Sequence, residues 1–304
     1  MIFLLLVLLV VIALTLATML APERMTTIGL SAERWRSGLA LRHASVDGFD
    51  MPYLEGGSGE VLLLVHGFAG DKDNFTRVAR FLTPHYRVLI PDLPGFGDAG
   101  RDPAASYAMA DQVARLHSWL AQLGIERLHL GGNSMGGFIA AQFAATYPKM
   151  VDSVWLLDAA GTAGAYEGPL LERYQQTGEM PLLLRREQDF DYLLAMTTHR
   201  APFIPRFMRG VYGRRAVADF DLHTRIMREL AESPVLESMY TNLLTPAFIV
   251  WGTQDQIMHP NGAQALATLF SKARVRMMDG IGHLPMVEAP RQAAMDYLAF
   301  RRAL

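Results

Sequence analysis

Cysteine is absent from the 304 residues. That removes disulfide frameworks, thiol nucleophiles, zinc ribbons and iron–sulfur ligation, while leaving the compartment open, because exported proteins without disulfides are common. An excess of charge of either sign is missing too, with 28 basic side chains against 30 acidic ones and a net charge of −2. No global field draws the chain to nucleic acid, and no nucleic-acid partner is expected. Lysine is scarce, at positions 72, 149 and 272 only, the other basic residues being Arg. The chain also lacks internal repeats and low-complexity tracts. Its length suffices for one large domain with a sizeable core, or for a core carrying an insertion.

Charged side chains are wholly missing from Ile2 to Leu20, a run of mostly Leu, Ile, Val, Ala, Met and Phe. A helix rising about 1.5 Å per residue over this length spans roughly the 30 Å hydrocarbon core of a bilayer. A helix apolar on every face needs lipid or a very large protein interior, so a membrane anchor is expected over residues 1–22. A cleaved export signal is the closest rival. Against it, no basic residue precedes the run, the run exceeds a usual signal core, and Met19-Leu20-Ala21 is a poor small-x-small cleavage site. Arg24, Arg34 and Arg36 follow the span, and the positive-inside bias would then place the following domain in the cytoplasm. Ala13, Ala17 and Ala21 recur every fourth residue, a stripe that permits helix self-association and a homodimer, though Ala is also common in apolar helices. A juxtamembrane segment over 23–40 mixes apolar residues such as Leu30 and Trp35 with arginine.

From about residue 41, strand-like and helical segments alternate, the pattern of a mostly parallel sheet with helices on both faces, an α/β fold. Apolar runs predict strands at 61–65, 86–90, 128–130, 154–157, 247–251 and 275–278. Helices fit at about 74–82, 108–123, 134–147, 261–271 and 290–302. The stretch 161–246 breaks the alternation: it is rich in Leu, Met, Arg, Tyr and Phe and punctuated by prolines, and is expected to be a helical cap inserted into a core of 41–160 and 247–304.

Gly132-Asn133-Ser134-Met135-Gly136 matches G-x-S-x-G directly between a strand pattern and a helical run. Small flanking residues allow the sharp turn that exposes a nucleophilic Ser134 at a helix N-terminus. A serine hydroxyl needs a base, and the base needs a carboxylate to fix its tautomer. Asp255, in Trp251-Gly252-Thr253-Gln254-Asp255, and His283, in Gly280-Ile281-Gly282-His283, each follow a predicted strand, in the required order Ser, Asp, His. Asp158 is the rival acid, since it also ends a strand; His66, His129 and His259 are the weaker choices for the base. The glycine-rich loop His66-Gly67-Phe68-Ala69-Gly70 follows the first strong strand, so the backbone N–H groups of Phe68 and Met135 are the expected oxyanion donors. No metal or organic cofactor is required by this chemistry.

These motifs, together with Asp92-Leu93-Pro94-Gly95-Phe96-Gly97, resemble the α/β-hydrolase superfamily over residues 41–304. With the N-terminal apolar helix and the Met- and Arg-containing cap, the chain looks like the single-span bacterial phospholipases A and lipases of the cytoplasmic membrane. That resemblance implies a catalytic domain facing the periplasm, against the charge count at the anchor, and hydrolysis of phospholipid and lysophospholipid acyl esters, with membrane lipids as both substrate and surroundings. The catalytic domain is accordingly expected on the periplasmic side.

In the cap, Leu183, Leu184, Phe203, Ile204, Phe207, Met208 and Tyr212 are candidates for an acyl-binding wall, against the plainer reading that they pack the cap itself. Arg206, Arg209, Arg214 and Arg215 are candidates to meet phosphate, or are simply solvated. A general lipase or esterase is the nearest alternative. Carbon–carbon bond hydrolases of this fold also carry a Gly-Asn-Ser-Met-Gly-Gly elbow, but a membrane anchor favours a lipid substrate. Halide- and epoxide-processing relatives need Asp at the nucleophile, and position 134 is Ser. A non-catalytic receptor of the same fold commonly lacks a triad member, whereas here all three are available.

Overall fold

The leucine- and valine-rich runs become the inner strands of one eight-stranded sheet, in the order β1-β2-β4-β3-β5-β6-β7-β8. The structure is a computed structural model describing residues 2–304; Met1, the first residue of the expected anchor, lies outside the described residues. The strands are β1 (Leu39–Val46), β2 (Phe49–Gly56), β3 (Val61–Val65), β4 (Arg87–Pro91), β5 (Leu128–Asn133), β6 (Val151–Leu157), β7 (Ala247–Gly252) and β8 (Ala273–Met278). From β3 onward neighbouring strands are parallel; β1 and β2 form an antiparallel hairpin whose inner strand pairs antiparallel to β4.

Side chains alternate between two core layers, as a period of two requires. In β3, Leu63 and Val65 face one layer while Leu62 and Leu64 face the other; in β7, Ile249 and Trp251 oppose Phe248 and Val250. Each such fully buried aliphatic side chain stabilises the fold by about 1.5–3 kcal/mol relative to exposure. Helices α1 (Ile2–Leu20), α2 (Pro22–Arg36), α3 (Thr76–Ala79), α4 (Met109–Gln122) and α5 (Met135–Thr146) come first. Between β6 and β7 lie α6 (Pro169–Thr177), α7 (Asp189–Thr197), α8 (Arg206–Ala218), α9 (Phe220–Glu232) and α10 (Leu236–Met239). The chain closes with α11 (Asn261–Leu269), α12 (Pro285–Glu288) and α13 (Pro290–Arg302). Helix α5 is apolar all round because it is the central helix, every residue from Met135 to Ala144 being buried. Helix α9 is amphipathic and buries His223, Ile226 and Leu230 at helical spacing.

Helix α1 is long and apolar enough to cross a membrane, and its described large apolar side chains are exposed, Phe3 to 76% and Leu20 to 81%. Helix α2 follows after Ala21 and docks on the domain through a bidentate pair, Arg34 Nε and Nη2 to the two carboxylate oxygens of Asp73 at 2.7 and 2.5 Å. Glu33 pairs with Arg77 at 3.0 Å and Glu23 with Arg214 of α8 at 2.6 Å. Trp35 does not pack on the domain; it is 80% exposed.

Two features depart from the sequence reading. The β1–β2 hairpin is additional, and the segment expected as a helix over 74–82 is a 3-10 turn, Lys72–Phe75, capped by Asp71 and followed by the single turn α3.

Candidate active site

At the end of β5 the chain turns sharply into α5, with Ser134 at φ 55° and ψ −122°, a conformation side chains other than Gly rarely adopt. Glycines on both sides are obligatory: a Cβ on Gly132 would lie 2.1 Å from the Gly136 carbonyl oxygen, and one on Gly136 2.2 Å from that of Val65. The strained turn lifts Ser134 to the carboxyl edge of the sheet. Asn133 ties the turn to its surroundings, its Nδ2 donating to the carbonyls of Leu157 at 3.1 Å and His283 at 3.0 Å.

His283 follows β8, and Asp255 follows β7. His283 Nδ1 donates to Asp255 Oδ2 at 2.8 Å, with the carboxylate fully buried. Asp255 Oδ1 accepts the backbone N–H groups of Ile257 at 2.7 Å and Met258 at 3.0 Å. Pairing of Nδ1 with a carboxylate leaves Nε2 as the unprotonated nitrogen. The His283 loop is clamped from the cap: His283 N donates to the Thr197 carbonyl at 3.0 Å, and Glu288 accepts the N–H groups of Gly282, His199 and Arg200.

Asp158, the rival acid, sits at the end of β6 with φ 44°, and its Oδ1 accepts the Gly252 N–H at 2.8 Å. Burial, and then the neighbouring Asp255 charge, push its carboxyl well above the usual carboxylate range. One carboxylate oxygen each from Asp158 and Asp255 and a ring nitrogen of His283 lie within 4.8 Å of one another.

Gly67 runs against the elbow so closely that a Cβ there would be 3.0 Å from Ser134 Cβ. Phe68 lines the same cavity as Ser134, and Met135 is the first residue of α5, so both expected oxyanion donors belong to segments flanking the serine. His66 holds the loop: its Nδ1 donates to the Gly67 carbonyl at 2.8 Å and its Nε2 accepts the Leu93 N–H at 3.1 Å. Complete burial pushes the His66 imidazole down to about 4, keeping it neutral.

The neighbouring loop is pinned by a buried ammonium. Lys72 Nζ donates to Asp92 Oδ2 and Asp98 Oδ2, both at 2.7 Å, and Lys72 N donates to Asp92 Oδ1 at 2.7 Å. Burial lowers the Lys72 ammonium, but Asp92 and Asp71 outweigh it and raise it overall. Asp98 also pairs with Arg215 of the cap helix α8. Sequence reasoning missed this anchor; its signal is a lone lysine, among arginines, following the glycine-rich loop.

Ser134 and His283 open into a cavity of about 400 Å³. Leu184, Phe203, Ile204, Met208 and Tyr212 line it, whereas Leu183 and Phe207 do not. On α8 the inward face is set by Met208 and Tyr212, four residues apart, and Phe207 is turned about 100° from Met208. Around Leu183 the neighbours Leu182 and Leu184 take the inward positions. Sequence reasoning missed Phe190, Leu193 and Leu194 of α7, and above all Gly29, Leu30 and Glu33 of α2, which form part of the wall. His223 of α9 reaches the loop 66–70, its ring 5.4 Å from that of Phe68. Of the four cap arginines, Arg209, Arg214 and Arg215 are engaged with carboxylates.

A family model for the alpha/beta hydrolase fold matches residues 60–290. The chain belongs to this family. It is 38% identical to Lipase 1 of Psychrobacter immobilis over 90% of this chain and 87% of that lipase. It is 27% identical to the monoacylglycerol lipase ABHD6 of Mus musculus over 87% and 84% of the two chains. Among solved structures, a bacterial membrane phospholipase A described as a virulence factor superposes with a TM-score of 0.91 at 36% identity, over 100% of this chain and 99% of the other. The family resemblance carried by the elbow, the glycine-rich loops and the His283 segment thus extends, in that last structure, through the N-terminal helix as well.

Proposed function

We propose that this protein is a phospholipase A and lysophospholipase that cleaves acyl esters of membrane glycerophospholipids from a single-span anchor. At the coarser level it is a carboxylic-ester hydrolase of the lipase type, as its similarity to Lipase 1 and to the membrane phospholipase A supports. The observation that carries the finer reading is the wall of the cavity. Leu30 and Gly29 of α2 line the same space as Ser134, and only Ala21 separates α2 from the apolar helix α1, so the segment suited to lipid leads directly into the helix that walls the cavity.

In this reading His283 Nε2 takes the Ser134 proton as Oγ attacks the ester carbonyl, and the N–H groups of Phe68 and Met135 stabilise the oxyanion. His283 then protonates the leaving lysolipid or alcohol and next activates water against the acyl-enzyme, while Asp255 balances the imidazolium. Helix α1 serves as the anchor, with the catalytic domain on the periplasmic face of a bacterial cytoplasmic membrane. The Ala13, Ala17 and Ala21 stripe serves self-association, and detergent crosslinking that finds only monomer at every concentration removes that part.

The deciding experiment compares the full-length enzyme with Ser134→Ala on diacyl phospholipids, lysophospholipids, triglycerides and short water-soluble esters. Serine-dependent release of fatty acid from phospholipid vesicles is expected. Cleavage of short esters alone would leave an ester hydrolase and remove the phospholipase.

A further inference from the structure

Asp158 has a buried carboxyl that the acyl-transfer steps do not use. Three of the four carboxylate oxygens of Asp158 and Asp255 are already engaged: Asp158 Oδ1 by the Gly252 N–H, Asp255 Oδ1 by Ile257 and Met258 N–H, and Asp255 Oδ2 by His283. The fourth, Asp158 Oδ2, is buried and has no donor among the described residues. Two ionised carboxyls this close in a dry interior repel strongly, and a buried anionic oxygen without a donor is costly. Both problems vanish if one proton resides on Asp158 Oδ2 and is directed at Asp255.

We propose that Asp158 is a neutral carboxylic acid that donates a hydrogen bond to the Asp255 carboxylate, making it a positioning residue for the triad acid. The groups that face it are Asp255 and His283 from the loops after β7 and β8, and Glu288 of α12, all of which the fold brings to one edge of the sheet. The backbone is arranged for this contact: Asp158 holds a positive φ of 44°, and its N–H donates to the Val250 carbonyl at 2.9 Å, so the side chain is directed across β7 rather than away from it. The first consequence is that Asp255 is fixed by the Ile257 and Met258 N–H groups on one oxygen and shares an acidic proton beside His283. The second is that a carboxamide, whose oxygen can accept the Gly252 N–H and whose NH2 can donate to Asp255 in place of the acidic O–H, substitutes for Asp158 but not for Asp255. This inference rests on the triad reading, and its spectroscopic arm is independent of that reading.

The test compares Asp158→Asn, Asp158→Ala and Asp255→Asn in the full-length enzyme. Asp158→Asn is expected to keep kcat/KM within about tenfold of the parent, and Asp158→Ala to lose about 10–100-fold through the missing charge-assisted bond. Asp255→Asn is expected to lose about 10⁴-fold. Infrared difference spectra at neutral pH, parent minus Asp158→Asn, are expected to show the carbonyl stretch of a protonated carboxyl; Asp158→Ser supplies the same difference if the Asn variant does not fold. A loss near 10⁴-fold in folded Asp158→Asn, or no such band in either difference spectrum, overturns the proposal. If the band is present and Asp255→Asn is fully active, the triad reading fails while the neutral Asp158 stands.

Discussion

Replacing Lys72 by Met probes the support of the proposed oxyanion loop. The Lys72 side chain is 1% exposed and that of Asp92 0%, so the substitution keeps the packing volume and strands a buried carboxylate. Breaking a buried pair from one side costs about 3–5 kcal/mol. Asp92 keeps two backbone donors, Lys72 N and Asp98 N, which places the expected loss at the lower end, about 3 kcal/mol. Asp98 adds little, because its side chain is 45% exposed and retains Arg215. For a chain of this size the melting temperature should fall by about 5 °C. Fluorescence of the buried Trp119, Trp155 and Trp251 reports the transition in detergent micelles. The pH dependence has a definite sign. Without its ammonium, the Asp92 carboxyl is raised by burial above its unfolded value, so the folded variant gains protons on acidification and the penalty shrinks as pH falls. Asp92→Asn in the Lys72→Met background should recover most of the loss. An unchanged melting temperature at pH 8, or a penalty independent of pH, would refute this account of the buried pair.

Gly67→Ala places a methyl 3.0 Å from Ser134 Cβ and 3.2 Å from Asn133 Oδ1, so the oxyanion loop must shift; kcat should fall by about 10²-fold with the melting temperature nearly unchanged, and an unaltered kcat counts against the assigned oxyanion loop. His66 is neutral and depressed to about 4 in the fold, against 6.5 when free, so its share of stability is complete above pH 6.5 and is lost as pH falls toward 4. That share is up to about 3 kcal/mol, and His66→Gln should flatten the melting temperature between those pH values. A slope equal to the parent's would show that His66 is not the group titrating.

The central strands were legible because strands such as β3 and β7 are buried on both faces and read as short apolar runs; β3 is seen at 61–65 as expected and β7 at Ala247–Gly252. The β1–β2 hairpin was not legible. Strand β1 is an edge strand whose interior from Ala40 to His43 is exposed, and β2 contains Pro52, which argues against a strand until its place in the sheet is known. The segment after Lys72 has helical spacing but is held as a tight turn by the Asp71 cap and the Lys72 anchor, both tertiary facts. Ser134, Asp255 and His283 are nominated by strand-end motifs and chain order, and the fold brings them together, His283 bonding Asp255 and sharing a cavity with Ser134. The cavity wall was legible only in part: Leu184, Phe203, Ile204, Met208 and Tyr212 line it, but the contributions of α2 and α7 did not show in the sequence. Leu30 of α2 meets Ser134's cavity through the Arg34–Asp73 contact across 39 positions, and apolar periodicity does not say which face of α7 or α8 turns inward. Asp158 was visible only as a rival for Asp255, because the sequence does not show that the two carboxyls converge.

The central claim is that Ser134, activated by His283 at the end of an apolar cavity, forms an acyl-enzyme with membrane phospholipid. Peptide mass mapping after exposing the full-length protein to vesicles containing a phosphonate analogue of a diacyl phospholipid tests it most directly. A single adduct on Ser134, lost in His283→Ala, is the result expected. An adduct on another residue, or continued vesicle hydrolysis by Ser134→Ala, would contradict it.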